Sequence, residues 1–352
     1  MVSRINARPP DGEAPPRGFG QYRDRNITTV ANPTCGLQGA PMIQDMHRFP
    51  HRYRLSGLKV ASQVPLPMRP LAGEAETFEA EVTIAVDDVP ERLEQLSHQG
   101  PNWSLDARHF LLDLPEIGRF MASDGHRLTI CPAPGMALDD ILVFATGTMM
   151  SAILYQRGAL LLHASAVVRD GRGFIFCGPS GAGKSTLSGA LSQAGCTFLS
   201  DDLCSIRDAD DGSPTIEADG RTLRLFQDSI DRLGLAGAVG ARVRAQVEKY
   251  HVAAASGEES VTSAPLGAIY MLADANAAYP PGIVELAPLA AAQALLRQCY
   301  RRRVALAYAG GALAARTARL LSHVKVYHLR RPRDLAQLDD TVDALIAHWS
   351  RP

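Results

Sequence analysis

The sequence predicts an α/β fold, a P-loop core of alternating strands and helices preceded by a small β-rich domain. Three observations carry this. A complete glycine-rich loop, Gly178-Pro179-Ser180-Gly181-Ala182-Gly183-Lys184-Ser185, sits between an apolar strand-like run and an amphipathic helix-like run. Strand and helix patterns alternate through residues 137–352. Short apolar runs separated by turn residues fill most of 51–136.

Residues 1–50 are rich in Pro, Gly, Arg and Asn, show no sustained apolar period, and read as a disordered or extended N-terminal arm. The β-rich domain, 51–136, has strands at Phe78–Val86, Phe110–Leu114, Gly118–Ala122 and His126–Cys131, in the manner of a meander. The core domain, 137–352, opens with a helix over Leu138–Arg157. Its apolar stretch, Ile141–Tyr155, falls short of the roughly 20 apolar residues that a membrane span needs and contains Gly147 and several hydroxyls, so a buried helix is expected. Strands follow at Ala159–Val168 and Gly173–Cys177, joined by the turn Arg169-Asp170-Gly171-Arg172. After the loop, a helix over Lys184–Ala194 presents Leu187, Ala190, Leu191 and Ala194 on one face. Further strands are expected at Thr197–Ile206, Arg221–Phe226, Leu266–Leu272 and Val324–Leu329. Helices are expected at Leu289–Arg302, Ala312–Ser322 and Leu335–His348.

Composition narrows the function classes. The 352 residues are 46% hydrophobic and 21% charged, an ordinary globular balance, and the formal net charge of −1 argues against charge-driven binding to nucleic acid or to a membrane surface. The six cysteines lack metal-ligand or CxxC spacing, and Cys177 and Cys204 lie in apolar runs that suit buried free thiols. The first residues lack the charged-then-apolar layout of a secretory signal, so a cytoplasmic location is expected. Lysine occurs only at Lys59, Lys184, Lys249 and Lys325 in a chain that otherwise uses arginine, a hint that some of these positions need a flexible ammonium.

The glycine-rich loop is a nucleotide-phosphate cradle. Gly178, Gly181 and Gly183 allow backbone conformations that turn consecutive N–H groups toward phosphate oxygens, the whole loop Gly178-Pro179-Ser180-Gly181-Ala182-Gly183-Lys184-Ser185 forming the cradle, and the helix beginning near Lys184 directs its unpaired amides at the same anion. Lys184 is expected to reach the β- and γ-phosphates of ATP, and the Ser185 hydroxyl to ligate Mg2+. Thr186 completes the candidate nucleotide-binding set. Asp201 and Asp202 close the next strand. Adjacent carboxylates suit phosphoryl transfer to an alcohol, one beside magnesium and one accepting the proton of the attacking hydroxyl. His163 lies in the strand before the loop and could approach the phosphates or Asp201.

Taken together, Leu161-Leu162-His163-Ala164, the loop Gly178–Ser185 and Leu199-Ser200-Asp201-Asp202 resemble, in order and spacing, the HPr kinase/phosphorylase family. The resemblance covers about 158–206 and extends weakly to Lys249. It implies a core related to phosphoenolpyruvate carboxykinase and an ATP- and magnesium-dependent serine kinase. Asp201 would be the base, Asp202 a magnesium-side acid, and His163, Lys184 and Lys249 further catalytic residues. The stretch Gly220–Phe226 lacks the glycine-rich signature of that family. This sets the chain apart from the bifunctional HPr enzymes and makes it more similar to divergent relatives that phosphorylate the C-terminal serine of a lasso-type precursor peptide. The expected partner is therefore a peptide or small protein with an acceptor serine, with self-association left open. HPr is the alternative acceptor, and a nucleotide-driven regulatory switch is the alternative function. A small-molecule kinase would need its own acid-binding arginines, for which Arg221, Arg224 and Arg242 are available.

Overall fold

The structure is a computed structural model that describes residues 48–71, 78–244, 247–252 and 261–350. The expected N-terminal arm, 1–50, lies almost wholly outside them. The described chain is a mixed α/β protein with several sheets.

The first sheet contains β1 (His51–Leu55), β2 (Leu58–Ser62), β3 (Val82–Val86), β4 (His98–Gln99), β5 (Trp103–Leu105), β6 (His109–Leu114), β7 (Gly118–Ser123) and β8 (Arg127–Pro132), in the order β1-β2-β3-β8-β7-β6-β5-β4. The expected meander is present as β6-β7-β8, whereas β3 joins parallel to β8 and β2. Ser56 and Gly57, at φ 50° and 80°, form the two-residue turn of the β1–β2 hairpin.

A helical run follows: α1 (Leu138–Phe144), a π turn at Ala145–Met149, and α2 (Met150–Gln156). It is long and apolar enough by composition to cross a membrane, but 67% of it is buried inside the protein, the place expected of a core helix.

The second sheet is built from β9 (Leu160–Leu162), β10 (Ala164–Arg169), β11 (Arg172–Cys177), β12 (Thr197–Asp201), β13 (Cys204–Asp208) and β14 (Pro214–Glu217). The expected strand Ala159–Val168 is thus two strands that part at His163: β9 pairs with β13, and β10 pairs with β11 and β12. The expected strand Thr197–Ile206 divides in the same way after Asp201, where Asp202 adopts φ +79°. Both runs change sheet partners at one corner, where His163 meets Asp202. Apolar periodicity cannot reveal such a break, because the residues on either side of it are all buried.

Helix α3 (Lys184–Gln193) follows the loop. A third sheet, β15 (Leu223–Phe226), β16 (Val239–Arg244) and β17 (Val247–Val252), has β17 at its centre, with α4 (Gln227–Arg232) between β15 and β16. The long β18 (Ser263–Asp274) runs parallel to β11 and to β20 (Lys325–Arg331), and β19 (Gly282–Glu285) pairs with β20. Helices α5 (Pro288–Gln298), α6 (Arg302–Ala309), α7 (Ala312–His323) and α8 (Leu338–Trp349) complete the chain. The expected helix Leu289–Arg302 stops early. Cys299 bridges to Leu162, Tyr300 N donates to Leu161 O, and Arg301 turns at φ +46° before α6 begins.

The alternation along β11 distributes its side chains between two cores. Ile175 and Cys177 join a large cluster that also holds Tyr53, Ile84, Phe120 and Ile153, so one apolar core runs through the β-rich region, the α1–α2 run and one face of the second sheet. Phe174 and Phe176 face a smaller cluster with Leu187, Leu191, Tyr270 and Leu345. Burial pushes the Cys177 thiol up to about 12, as suits an inert core cysteine.

The smaller core is closed by Trp349. Its ring stacks on Phe174 at a centroid distance of 4.0 Å, and its Nε1 donates to Tyr270 Oη at 2.8 Å. Trp349→Ala is expected to cost about 2–3 kcal/mol and to lower the melting temperature by several degrees. A calorimetric scan indistinguishable from the parent would show that α8 is not a structural part of this core.

Candidate active site

The loop begins at the end of β11 and feeds α3. Gly183, at φ +79°, is the residue before the helix. The left-handed conformation favours glycine, and a Cβ there would lie 2.5 Å from Arg331 Nη2 and displace the end of that side chain. No side chain caps α3 and no acidic residue occupies its first turn, which leaves the positive end of the helix to an anion. Arg331, at the end of β20, donates from Nη2 to Ala182 O at 2.6 Å and ties the loop to the parallel sheet. Ser180 and Gly181 are exposed at the loop tip, and Thr186 is engaged with Ser229, Oγ to Oγ at 2.9 Å.

Lys184 is buried, and its ammonium is held at the mouth of the loop. Nζ donates to Gly178 O at 2.8 Å and Pro179 O at 3.2 Å and lies 3.2 Å from His163 Nε2. Burial lowers its proton affinity, the carboxylates of Asp201 and Asp202 oppose that, and the charge of Lys249 adds to it. An ammonium has no lone pair to offer, so in this contact His163 Nε2 is the acceptor and Nδ1 is left as the donor of the ring. Nδ1 in turn lies 3.1 Å from both the backbone oxygen and Oδ1 of Asp202. Lys184, His163 and Asp202 thus form one hydrogen-bonded line across the corner where β9 passes into β10.

Asp201 and Asp202 have different surroundings. Asp201 is 2% exposed: Oδ1 accepts from Ser165 Oγ at 2.5 Å and Ser185 Oγ at 2.8 Å, and Oδ2 accepts from the Arg224 amide at 3.2 Å. Asp202 has a side chain 31% exposed, with Arg224 Nη1 3.6 Å from Oδ2. Burial alone would raise its carboxyl. The His163 bond and the guanidiniums of Arg224 and Arg221 instead hold it well below the usual carboxylate range. The expectation grouped Ser185 with Asp202 on the magnesium side, but the Ser185 hydroxyl donates to Asp201.

Behind this pair lies a buried ion pair. Arg221 Nε donates to Asp219 Oδ2 at 3.1 Å, and the Asp219 oxygens also accept from the Arg221 and Asp201 amides at 2.9 and 3.2 Å. Burial opposes the charge of Arg221, but Asp219, Asp202 and Asp201 keep it ionised. The Asp219–Gly220–Arg221 turn rests on the β1–β2 hairpin: Gly57 N donates to Ala218 O at 3.1 Å, and a Cβ on Gly220 would lie 2.2 Å from Arg54 O. Tyr300 stands on the other side, its ring 6.3 Å from that of His163.

Ser165, Asp219, Tyr300 and Arg331 were not singled out from sequence. Each is an ordinary residue within a strand, turn or helix end, and no local spacing links it to the loop. Lys249 lies within β17, opposite Phe226 and 5.5 Å from its ring centroid. It reaches the loop lysine through its charge only, among the interactions of the described residues. Arg242 donates from Nε to Tyr250 Oη at 3.3 Å. Two clefts, of about 340 and 280 Å³, lie elsewhere, beside Arg169 and Thr197 and beside Leu160 and Arg319; neither includes a loop residue.

No family model and no curated protein matches the chain. Among solved structures, the Hpr(Ser) kinase/phosphatase from Coxiella burnetii is similar in part. The match is a distant one. It covers 54% of this chain and 95% of that one at 14% identity, with a TM-score of 0.30, and at that level no residue role transfers.

Described residues hold no cluster of three or more His, Cys, Asp or Glu side chains able to bind a metal by themselves. The Ser185 oxygen at the start of α3 and the Asp201 oxygen at the end of β12, 2.8 Å apart, nevertheless fit the way magnesium is held with a nucleotide, through few protein oxygens and mostly through phosphates and water.

Proposed function

We propose that this chain is an ATP- and magnesium-dependent phosphotransferase acting on a hydroxyl, with a serine of a peptide or small protein as the acceptor. The observation that carries the reading is the hydrogen-bonded line Lys184–His163–Asp202, which joins the phosphate loop to a partly exposed carboxylate. A loop that served only to bind nucleotide would have no need of a second, accessible carboxylate beside the buried one.

Bound magnesium would neutralise phosphate charge beside Ser185 and Asp201, both of which present oxygen there. The remaining chemistry belongs to the chain. Amides at the start of α3 and the Lys184 ammonium draw on the transferring phosphoryl group, Lys184 exchanging one of its present acceptors for a phosphate oxygen. Asp202 orients the attacking hydroxyl and receives its proton. In this reading the two carboxylates exchange the roles that the family resemblance implies, in which Asp201 is the base and Asp202 the magnesium-side acid; the greater exposure of Asp202 and the Ser185–Asp201 hydrogen bond support the exchange. His163 fixes the Asp202 carboxylate and keeps it ionised. A base with depressed proton affinity suffices, because the hydroxyl proton becomes acidic only as the new O–P bond forms.

The first acceptor to test is a ribosomal precursor peptide ending in serine, with HPr in parallel. Intact-mass spectrometry after incubation with Mg-ATP is expected to show one phosphate gained by an acceptor, matched by ADP and abolished by chelation of magnesium. ATP turned over to ADP and free phosphate with equal speed in the presence of every acceptor would replace this reading by that of a hydrolytic switch.

A further inference from the structure

Arg331 is a buried cation that the phosphotransfer reading does not use. It ends β20, is 8% exposed, and lies against the loop: Nη2 donates to Ala182 O at 2.6 Å, Nη1 donates to Pro332 O at 3.4 Å, and Nε is buried without a partner. Among the described residues it forms no ion pair. Asp274, its register partner across β18–β20, is bonded instead to Arg333, whose Nε donates to Oδ1 at 2.8 Å. The other buried cations of the site do face carboxylates, Arg221 facing Asp219 and Lys184 facing Asp201 and Asp202. A guanidinium keeps its charge, and a buried charge without a carboxylate partner is costly. Burial and the nearby charge of Arg333 lower the proton affinity of Arg331 against the pull of Asp274.

The bond to Ala182 O has a consequence on the opposite side of the chain. The peptide unit joining Ala182 to Gly183 is planar and trans, so its carbonyl and its N–H point in opposite directions. The guanidinium that holds the carbonyl therefore sets the direction of the Gly183 N–H. Among the described residues that amide has no backbone acceptor, and it directly precedes the first-turn amides of α3, which a helix leaves unpaired. A cation at the carbonyl also polarises the peptide and strengthens its N–H as a donor. With the reading of the loop as a phosphate cradle as its basis, we propose that Arg331 is a positioning residue of the nucleotide site: it holds the Ala182–Gly183 peptide with its N–H toward the phosphates, and the bound phosphates supply the counter-charge that its guanidinium lacks within the protein. Arg331 acts through the carbonyl and touches no phosphate itself. The ligand class it serves is the polyphosphate chain, inorganic pyrophosphate included, and not the nucleoside.

The test begins with the isotope-labelled parent chain, studied by NMR with magnesium and pyrophosphate, so that it does not depend on any variant folding. The Gly183 amide proton is expected to move downfield on binding, as an N–H does on gaining a short bond to an anion, and the Arg331 Nε resonance to shift with it. Movement of the Lys184 and Ser185 amides while that of Gly183 stays in place would overturn the proposal. Arg331→Gln keeps an N–H donor and removes the charge; it should weaken pyrophosphate and ATP alike by about tenfold, the scale of one charged hydrogen-bonded contact. Arg331→Lys, which keeps the charge, should recover part of that loss. A residue that only braces the fold would behave differently: its replacement would lower the melting temperature of the free protein and leave both affinities and the Gly183 response unchanged, and that result would also overturn the proposal. Phosphate transfer is scored separately. A Gly183 response and the Arg331→Gln defect without transfer to any hydroxyl would support the proposal and refute the phosphotransfer reading alone. Transfer with an unresponsive Gly183 would refute the proposal alone, and absence of any polyphosphate binding would refute both.

Discussion

Replacing Lys184 by alanine is expected to lower phosphotransfer by about 10³-fold and to weaken nucleotide triphosphate binding at least about tenfold. The ammonium is the cation placed directly at the mouth of the loop, bonded to Gly178 O, Pro179 O and His163 Nε2. Its loss removes phosphate stabilisation and also frees the His163 ring from one of its two restraints. Asp201 and Asp202 would lose the cation that compensates them from the loop side. Lys184→Arg separates these effects, since a guanidinium restores charge but cannot fit the same three acceptors. It should recover triphosphate binding in part and transfer scarcely at all. Single-turnover kinetics with titrated nucleotide would measure both. A rate for Lys184→Ala within threefold of the parent would remove the loop from the chemistry.

The acidic pair gives the second large effect, and its two members should fail differently. Asp202→Asn is expected to slow transfer by about 10²–10⁴-fold with nucleotide affinity nearly unchanged, the behaviour of a lost proton acceptor. Asp201→Asn should instead raise the magnesium concentration needed for nucleotide binding, because its Oδ1 is bonded to the Ser185 hydroxyl. Titrating magnesium against a fluorescent nucleotide in both variants distinguishes them. If Asp202→Asn shows the magnesium defect and Asp201→Asn the kinetic one, the division of labour is the one implied by family resemblance. Folding must be checked for Asp201→Asn, since this residue is buried and accepts three hydrogen bonds from Ser165, Ser185 and Arg224.

The β-rich region acquires a definite bearing on these experiments. Its β1–β2 hairpin supports the turn that carries Asp219 and Arg221, through the Gly57 amide and the close approach of Arg54 O to Gly220. Changes at that hairpin should therefore reach the site through the position of the arginines. This is a more specific role than could be argued from the strand pattern of residues 51–136.

The sequence by itself determined what is local. The strand, glycine-rich loop and helix at 172–193 were legible because glycine conformation, the preceding strand and the following helix are all written in consecutive residues. The Asp170–Gly171 turn between β10 and β11 was legible for the same reason, both residues taking positive φ as a two-residue hairpin turn requires. Helices α3 and α7 and most strands followed from apolar period. The tertiary structure alone decided how the candidate residues meet. His163 and Asp202 lie 39 positions apart, and each interrupts what reads as one continuous apolar strand. Only the exchange of partners between the two halves of the second sheet brings them into contact. Ser165 arrives from β10, Asp219, Arg221 and Arg224 from β15 and the turn before it, and Tyr300 from the break after α5, which is set by its pairing with β9. A side chain's partners across a sheet depend on register and on which strands become neighbours, and neither is encoded in the spacing of residues along a single strand.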